Sequence, residues 1–401
     1  MITQHSFNRR NRIIWSFVLP GMMLLSACGS SFNTVSAQPE IDLTKQFQDA
    51  LLTATYGVPA PTATPAPPTE TPVPTVDPNI TPPPLPEVYR SQFLKPVDIP
   101  RTYISDTCTY LKNRWDPNKS APGTIVMPIM FHGIAQETAA KENDITSTNF
   151  KILMKSLNEL GFQAINMKQF VDFMYDNAKI PNRSVLLIVD DRHYAQYFDQ
   201  NFKPYYDKWG WPVINAWISF KDNTQDLIQD QRNLVAAGYV DYQAHGVVHN
   251  IPIGNNSTDE YIKSEIVGSK ESMQRDIGVT PIAYIWPGGG FSKRGAEIAR
   301  EAGYKAGFTT NPRSPVMYNW IPQADEVDLQ RPGYAPEGPA GDPMMTLPRF
   351  WDTDAYYRLD EVRLTGKEAA AAAEQSKASE LAYYDIVCKA KTGEIPTLAA
   401  Q

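Results

Sequence analysis

The sequence predicts an α/β fold on parallel strands, curled into something barrel-like. Three observations carry this. Strand-length and helix-length patterns alternate from about Ile125 to Thr310. The strand-like runs are short and almost wholly apolar, as strands buried on both faces require. Three of the predicted helices run into a glycine, at Gly161, Gly238 and Gly303, the residue that most readily closes a helix.

In order, Thr124–Phe131 reads as a buried strand. Thr148–Leu160 sets Phe150, Leu153, Met154, Leu157 and Leu160 at helical spacing. Met167–Asn177 is a second, shorter helix, and Ser184–Val189 is the next strand. Phe198–Trp209 reads as helix, Val213–Ser219 as strand, Gln225–Ala237 as helix and Tyr239–Ala244 as strand. Asp259–Ile277 is a long helix, Ile282–Trp286 a strand, Lys293–Ala302 a helix and Ala306–Thr310 a strand. Residues 311–346, rich in Pro, Gly and Met and without period, read as a long loop of the kind that often walls an active site. The alanine-rich stretch Lys367–Cys388 reads as a peripheral helix.

Ahead of this body lies a different kind of chain. Arg9, Arg10 and Arg12 precede an apolar stretch from Ile13 to Leu25, too short to span a bilayer. Leu25-Ser26-Ala27-Cys28 follows at once and resembles a bacterial lipobox. That resemblance implies cleavage before Cys28, lipid attachment to its sulfur, and an extracytoplasmic protein held on the membrane at the cell surface. Ile41–Tyr56 has the content of a short helix. Pro59–Pro86 is a Pro/Thr tract that favours extended chain and cannot bury a core. The expected organisation is a signal over 1–27, an anchored linker over 28–87 and an extension over 88–124. A catalytic domain over 125–350 and a helical extension over 351–401 follow. With Cys28 lipidated, Cys108 and Cys388 remain in an oxidising compartment, and their pairing would staple the extension to the C-terminal helix. Formal net charge is −7, and removing 1–27 with its three arginines and no acid leaves −10. Such a surface argues against nucleic acid as partner, which needs basic patches.

Two short motifs bear the chemistry. Asp190 and Asp191 end the apolar run Ser184–Val189, and His245 and His249 follow the strand Tyr239–Ala244. In parallel α/β folds the C-terminal strand ends form the edge where active sites assemble. The i, i+4 spacing sets both imidazoles on one side of a helical turn. Two imidazoles and one carboxylate can hold a divalent metal with positions left open, and the second carboxylate is free to act as a base. His132 and His193 also lie near predicted strand ends, so all four histidines beyond His5 gather at one edge. The residues point to a metal-dependent hydrolase.

The chain resembles the polysaccharide deacetylases, the NodB-like carbohydrate esterases of family 4, over about residues 125–350. The opening strand ends in Phe131-His132, where the family has Tyr-His. Its Thr-Phe-Asp-Asp-Gly motif is matched by Ile188-Val189-Asp190-Asp191-Arg192, and its His-Ser/Thr-x-x-His motif by His245 to His249. Ile285-Trp286-Pro287-Gly288-Gly289 answers the third motif, and Glu301-Ala302-Gly303-Tyr304 and Leu347-Pro348-Arg349 match later family signatures. The resemblance implies a distorted (β/α) barrel with Asp191, His245 and His249 holding zinc, or cobalt, nickel or iron, and with Asp190 as general base. It implies a cleft bordered by Trp286, Pro287, Gly288 and Arg349, and an N-acetylated glycan as substrate; O-deacetylation of xylan is a variant of the same chemistry.

Three departures shape the expectation. Arg192 stands where the family has Gly, putting a cation beside the metal. Gly288 stands where it has an aromatic, removing one cleft wall. Pro348-Arg349 stands where many members have a His. Proton donation then falls to His132 or His193, and His132 is preferred for its place at a strand end. The same departures keep open a non-catalytic glycan-binding descendant, and more weakly a hydrolase of small amides.

Overall fold

The computed structural model describes residues 81–137, 141 and 143–397. The signal, Cys28, Ile41–Tyr56 and the Pro/Thr tract before Thr81 lie outside the described residues. Among the described residues no helix is long and apolar enough to cross a membrane.

Strand β1 (Asp98–Arg101) and helix α1 (Thr107–Trp115) form the N-terminal extension. Strand β2 (Ile125–Phe131) starts the main sheet, and the short pair β3 (Gly133–Ala135) and β4 (Asp144–Thr146) follows it. Helix α2 (Ser147–Glu159) is capped by Thr146, strand β5 is Gln163–Ala164, and helix α3 (Met167–Asp176) opens with a reciprocal Asn166–Gln169 capping box. Strand β6 (Arg183–Val189), helices α4 (Ala195–Asn201) and α5 (Lys203–Trp209) and strand β7 (Val213–Trp217) come next. Helix α6 (Gln225–Ala237) starts at Thr224 and closes on Gly238, strand β8 is Val240–Ala244, and helix α7 (Asp259–Ile277) runs from Thr258 to Gly278. Strand β9 (Ala283–Ile285), helix α8 (Lys293–Glu301), strand β10 (Ala306–Phe308), strand β11 (Ile321–Ala324), strand β12 (Phe350–Trp351) and helix α9 (Asp352–Tyr383) complete the order.

The main sheet runs β10-β9-β8-β7-β6-β2-β12, with β5 also on β6, and every pairing in it is parallel. It is a curled half-barrel rather than a fully stranded barrel. Alternation along the strands separates two apolar layers. Val185, Leu187 and Val189 join Phe150, Leu153, Phe198, Leu227 and Ile262 of the flanking helices. Leu186 and Ile188 join Ile214, Ile285 and Phe308 on the other face, which is filled by Phe170, Phe173 and Met174 of α3 and by Val316 and Ile321.

The gap between β10 and β2 is bridged by a seam rather than a full strand. Leu347 bridges Phe308, and three residues later Phe350 pairs with Ile129. Nearer the start of β2, Val126 exchanges both backbone hydrogen bonds with Val316. All of residues 311–324 but Pro312 are buried, and β11 pairs antiparallel with β1. The expected long loop is therefore in part a filler of the sheet gap. Arg313 fixes it from within, donating to Asp98 Oδ1 (3.0 Å) and Glu337 Oε2 (3.0 Å) with all three side chains buried.

The C-terminal helix is not peripheral. It begins at Asp352, well before the expected Lys367, and buries Ala355, Leu359, Val362, Gly366, Ala369 and Ala373. At Gly366 a Cβ would lie 2.8 Å from the carbonyl oxygen of Gly123, so glycine is needed for so close a backbone approach. Beyond Tyr383 the helix passes through a π turn (Tyr384–Cys388), where Cys388 is joined to Cys108 of α1 by a disulfide with Cα atoms 5.2 Å apart.

Candidate active site

Asp190 continues the face of β6 that carries Leu186 and Ile188, so alternation points it inward, away from the helix layer. The next residue would point the other way. Asp191 instead takes φ +71°, a left-handed conformation uncommon for a side-chain-bearing residue, and its carboxylate reaches the same strand edge. His245 follows β8, and its Nδ1 sits 2.8 Å from the carbonyl oxygen of Ile285. A proton donated there leaves Nε2 as a free electron pair. His249 has φ +65°, and its Nε2 lies 3.3 Å from Asp191 Oδ1.

Asp191, His245 and His249 present ligand atoms all within 4.8 Å of one another. The donor set fits a divalent cation: two nitrogens, one carboxylate and room for further ligands. Burial pushes His245 down to about 4, with Asp190 opposing and His249 adding to the fall. It is therefore neutral and ready to ligate at ordinary pH.

The stretch between the imidazoles is not a helical turn. It is an irregular loop with Gly246 at φ +78°. What shapes it is Glu265 on α7, a residue that sequence reading missed. Its buried carboxylate accepts the N–H groups of Val247 (2.9 Å) and Val248 (2.8 Å), and more distantly that of His249 (3.4 Å).

Asp190 stands beside this trio. Its Oδ2 is 3.9 Å from His245 Nε2 and 4.0 Å from His132 Nε2, and its Oδ1 accepts Arg349 Nη1 at 2.6 Å. Burial works to raise its carboxyl. The charge of Arg349 and the nearby imidazoles outweigh that and hold it well below the usual carboxylate range. Arg349 belongs to the seam and also donates Nε to the carbonyl oxygen of Thr309 (2.8 Å). It is fully buried, so it acts on Asp190 and offers no cleft surface.

The remaining expected residues divide. His132 lies at the end of β2, stacked on Trp351 with ring centroids 5.3 Å apart. His193 turns onto Tyr197 instead, at 3.9 Å between centroids, and burial lowers its imidazole. Trp286 is wholly buried, donating Nε1 to the carbonyl oxygen of Met345 (2.8 Å), and is core rather than cleft wall. Pro287 is buried too, and only Gly288 is exposed, at φ +57°. Arg192 does not turn toward Asp191, His245 and His249. Its Nη1 contacts Asp222 Oδ1 (3.3 Å) and Asn223 Oδ1 (3.1 Å), and its guanidinium lies 5.1 Å from the centre of the Phe220 ring. Asp352 was also missed. It heads α9 beside Trp351 with Oδ2 buried and without a hydrogen-bond partner among the described residues, and burial raises its carboxyl to about 8, with Asp144 and Asp190 adding to the rise.

Residues 177–307 match the family model described as polysaccharide deacetylase. The matched segment contains the trio and Asp190 but not His132, Arg349 or Trp351. YxkH of Bacillus subtilis (strain 168), a protein assigned to the polysaccharide deacetylases, is 23% identical over 188 residues, covering 46% of this chain. The chain spans 64% of that relative's length. Among solved structures, the deacetylase PplD of Streptococcus pyogenes in complex with acetate is 17% identical, with TM-score 0.47, covering 61% of this chain and 99% of that one. IcaB of Ammonifex degensii is 14% identical, with TM-score 0.45, covering 60% and 98%.

Proposed function

We propose that this chain, whose residues 177–307 match the polysaccharide deacetylase model, is a metal-dependent enzyme that removes N-acetyl groups from a cell-surface or extracellular glycan. One observation carries the reading: the three candidate ligand side chains converge while a fourth group, Asp190, stands beside them with Oδ1 held by Arg349 and Oδ2 3.9 Å from His245 Nε2.

Asp191, His245 and His249 would hold a divalent ion, which when bound would supply Lewis-acid polarisation of the acyl oxygen and of the attacking water. Asp190 takes the proton as the water oxygen bonds to the acetyl carbon. Arg349 fixes the Asp190 carboxylate and keeps it ionised between turnovers. When the carbon–nitrogen bond breaks, His132, whose Nε2 lies 4.0 Å from Asp190 Oδ2, passes the proton that Asp190 took on to the departing amine, leaving acetate and a free amino sugar. Trp351 backs the His132 ring, which orients it toward Asp190.

Location belongs to the same proposal. The lipobox-like Cys28 and the Pro/Thr tract support a tethered protein working outside the cytoplasm, where polymeric glycans are met. The test is acetate release from N-acetylglucosamine oligomers and from peptidoglycan, with zinc, cobalt or nickel added, against Asp190→Asn. Release that needs both metal and Asp190 is expected. A folded, metal-loaded protein that binds glycan and releases no acetate would turn the reading to a glycan-binding relative.

A further inference from the structure

We propose that Glu265 is a positioning residue for the metal site: its carboxylate folds the loop Gly246–His249 and so presents His249 to the ion. The proposal rests on the metal reading above.

The carboxylate is 1% exposed and no cationic side chain pairs with it among the described residues. Its charge is met by backbone instead. Oε2 accepts the N–H of Val247 at 2.9 Å and, more weakly, that of His249 at 3.4 Å, and Oε1 accepts that of Val248 at 2.8 Å. Successive amides turned toward one point form an anion cradle, and here the anion is supplied by the chain itself. Only a carboxylate offers acceptor sites on both oxygens; an amide side chain would set its NH2 against one of the donors.

The loop needs this restraint at both ends. Gly246 has φ +78°, and a Cβ there would sit 2.6 Å from Glu265 Oε2. His249 has φ +65°, a conformation that persists only where surroundings impose it. Released from the cradle, His249 is free to relax to negative φ, which swings Nε2 away from Asp191 and His245. Glu265 touches no ligand side chain. It acts through the backbone that carries one.

The test is zinc binding by the full chain, read by competition with a chromophoric chelator, with the visible spectrum of the cobalt form alongside. Glu265→Gln is expected to keep cooperative unfolding when metal-free, to bind zinc about ten- to a hundredfold more weakly, and to show an altered cobalt spectrum. Wild-type affinity and spectrum in a folded Glu265→Gln would overturn the proposal and leave the metal reading standing. A wild-type chain that takes up no zinc would overturn both. The metal-free wild type gives a reading that needs no variant: slow hydrogen exchange at Val247 and Val248 is expected, and exchange at the rate of free loop amides would overturn the cradle.

Discussion

The guanidinium of Arg349 reaches the carboxylate of Asp190 at 2.6 Å with both side chains withdrawn from solvent. The pair joins the end of β6 to the seam that closes the sheet, across 159 positions of chain. Arg349→Met should therefore be costly in two ways. It strands a buried carboxylate, which typically costs about 3–5 kcal/mol. It also raises Asp190 toward neutrality. A carboxyl depressed by folding stabilises above its unfolded value, about 3.9, and that contribution is lost as pH falls through the folded value. The variant should lose stability at neutral pH and show a shifted acid limb of activity. Thermal unfolding and pH–rate profiles check this, and wild-type values in both would refute the role given to Arg349.

Asp190→Asn separates the base from the ligands. Turnover should fall about a hundred- to ten-thousandfold with zinc content unchanged, because Asp190 is not one of the three converging groups. Loss of zinc in that variant would make Asp190 a ligand.

His132→Ala should lower turnover while metal content holds. His193 stacks on Tyr197 with its Nε2 buried and without a partner, so His193→Ala should affect stability more than the reaction. A reversed pattern in acetate release would exchange the two roles.

Asp352 gives a pH signature of opposite sign to Asp190. Its carboxyl is raised by folding to about 8, so its contribution is complete below the unfolded value and is lost as pH rises through the folded one. Asp352→Asn should flatten the fall in melting temperature between about pH 5 and pH 8. Equal slopes in wild type and variant would show that the carboxyl is hydrated and ionised in the fold.

Breaking the disulfide with Cys108→Ser should cost about 2–5 kcal/mol and loosen α1 from the end of the C-terminal helix. Unfolding of the oxidised wild type with and without reductant should show the same difference.

Most of the parallel sheet was legible because runs such as Val185–Val189 are apolar on both faces, which leaves a buried strand as the economical reading. The predicted helix Phe198–Trp209 proved to be two, since Pro204 lacks the N–H a continuous helix would use there. Strand β11, Ile-Pro-Gln-Ala, shows no alternation, and its partner β1 lies more than two hundred residues earlier, so no local pattern announced it. The stretch of α9 before Lys367 buries polar and small residues, Asp352, Ala355, Thr365 and Gly366, beside Leu359 and Val362, which blurs the periodic contrast. At the site, motif spacing brought Asp190, Asp191, His245 and His249 to one edge. It did not show that Trp286 faces the core, because a strand-end aromatic reads alike whether it points in or out. Glu265 lies in an ordinary polar helical stretch and becomes visible only once the loop 246–249 has a shape.

The link between Cys108 and Cys388, 280 positions apart, makes one covalent ring of everything between them. Every residue assigned a part in the chemistry, from His132 to Trp351, lies inside it. A protease that nicks a single exposed loop within the ring therefore opens a circle rather than severing a line, and the pieces stay joined until the sulfurs are reduced.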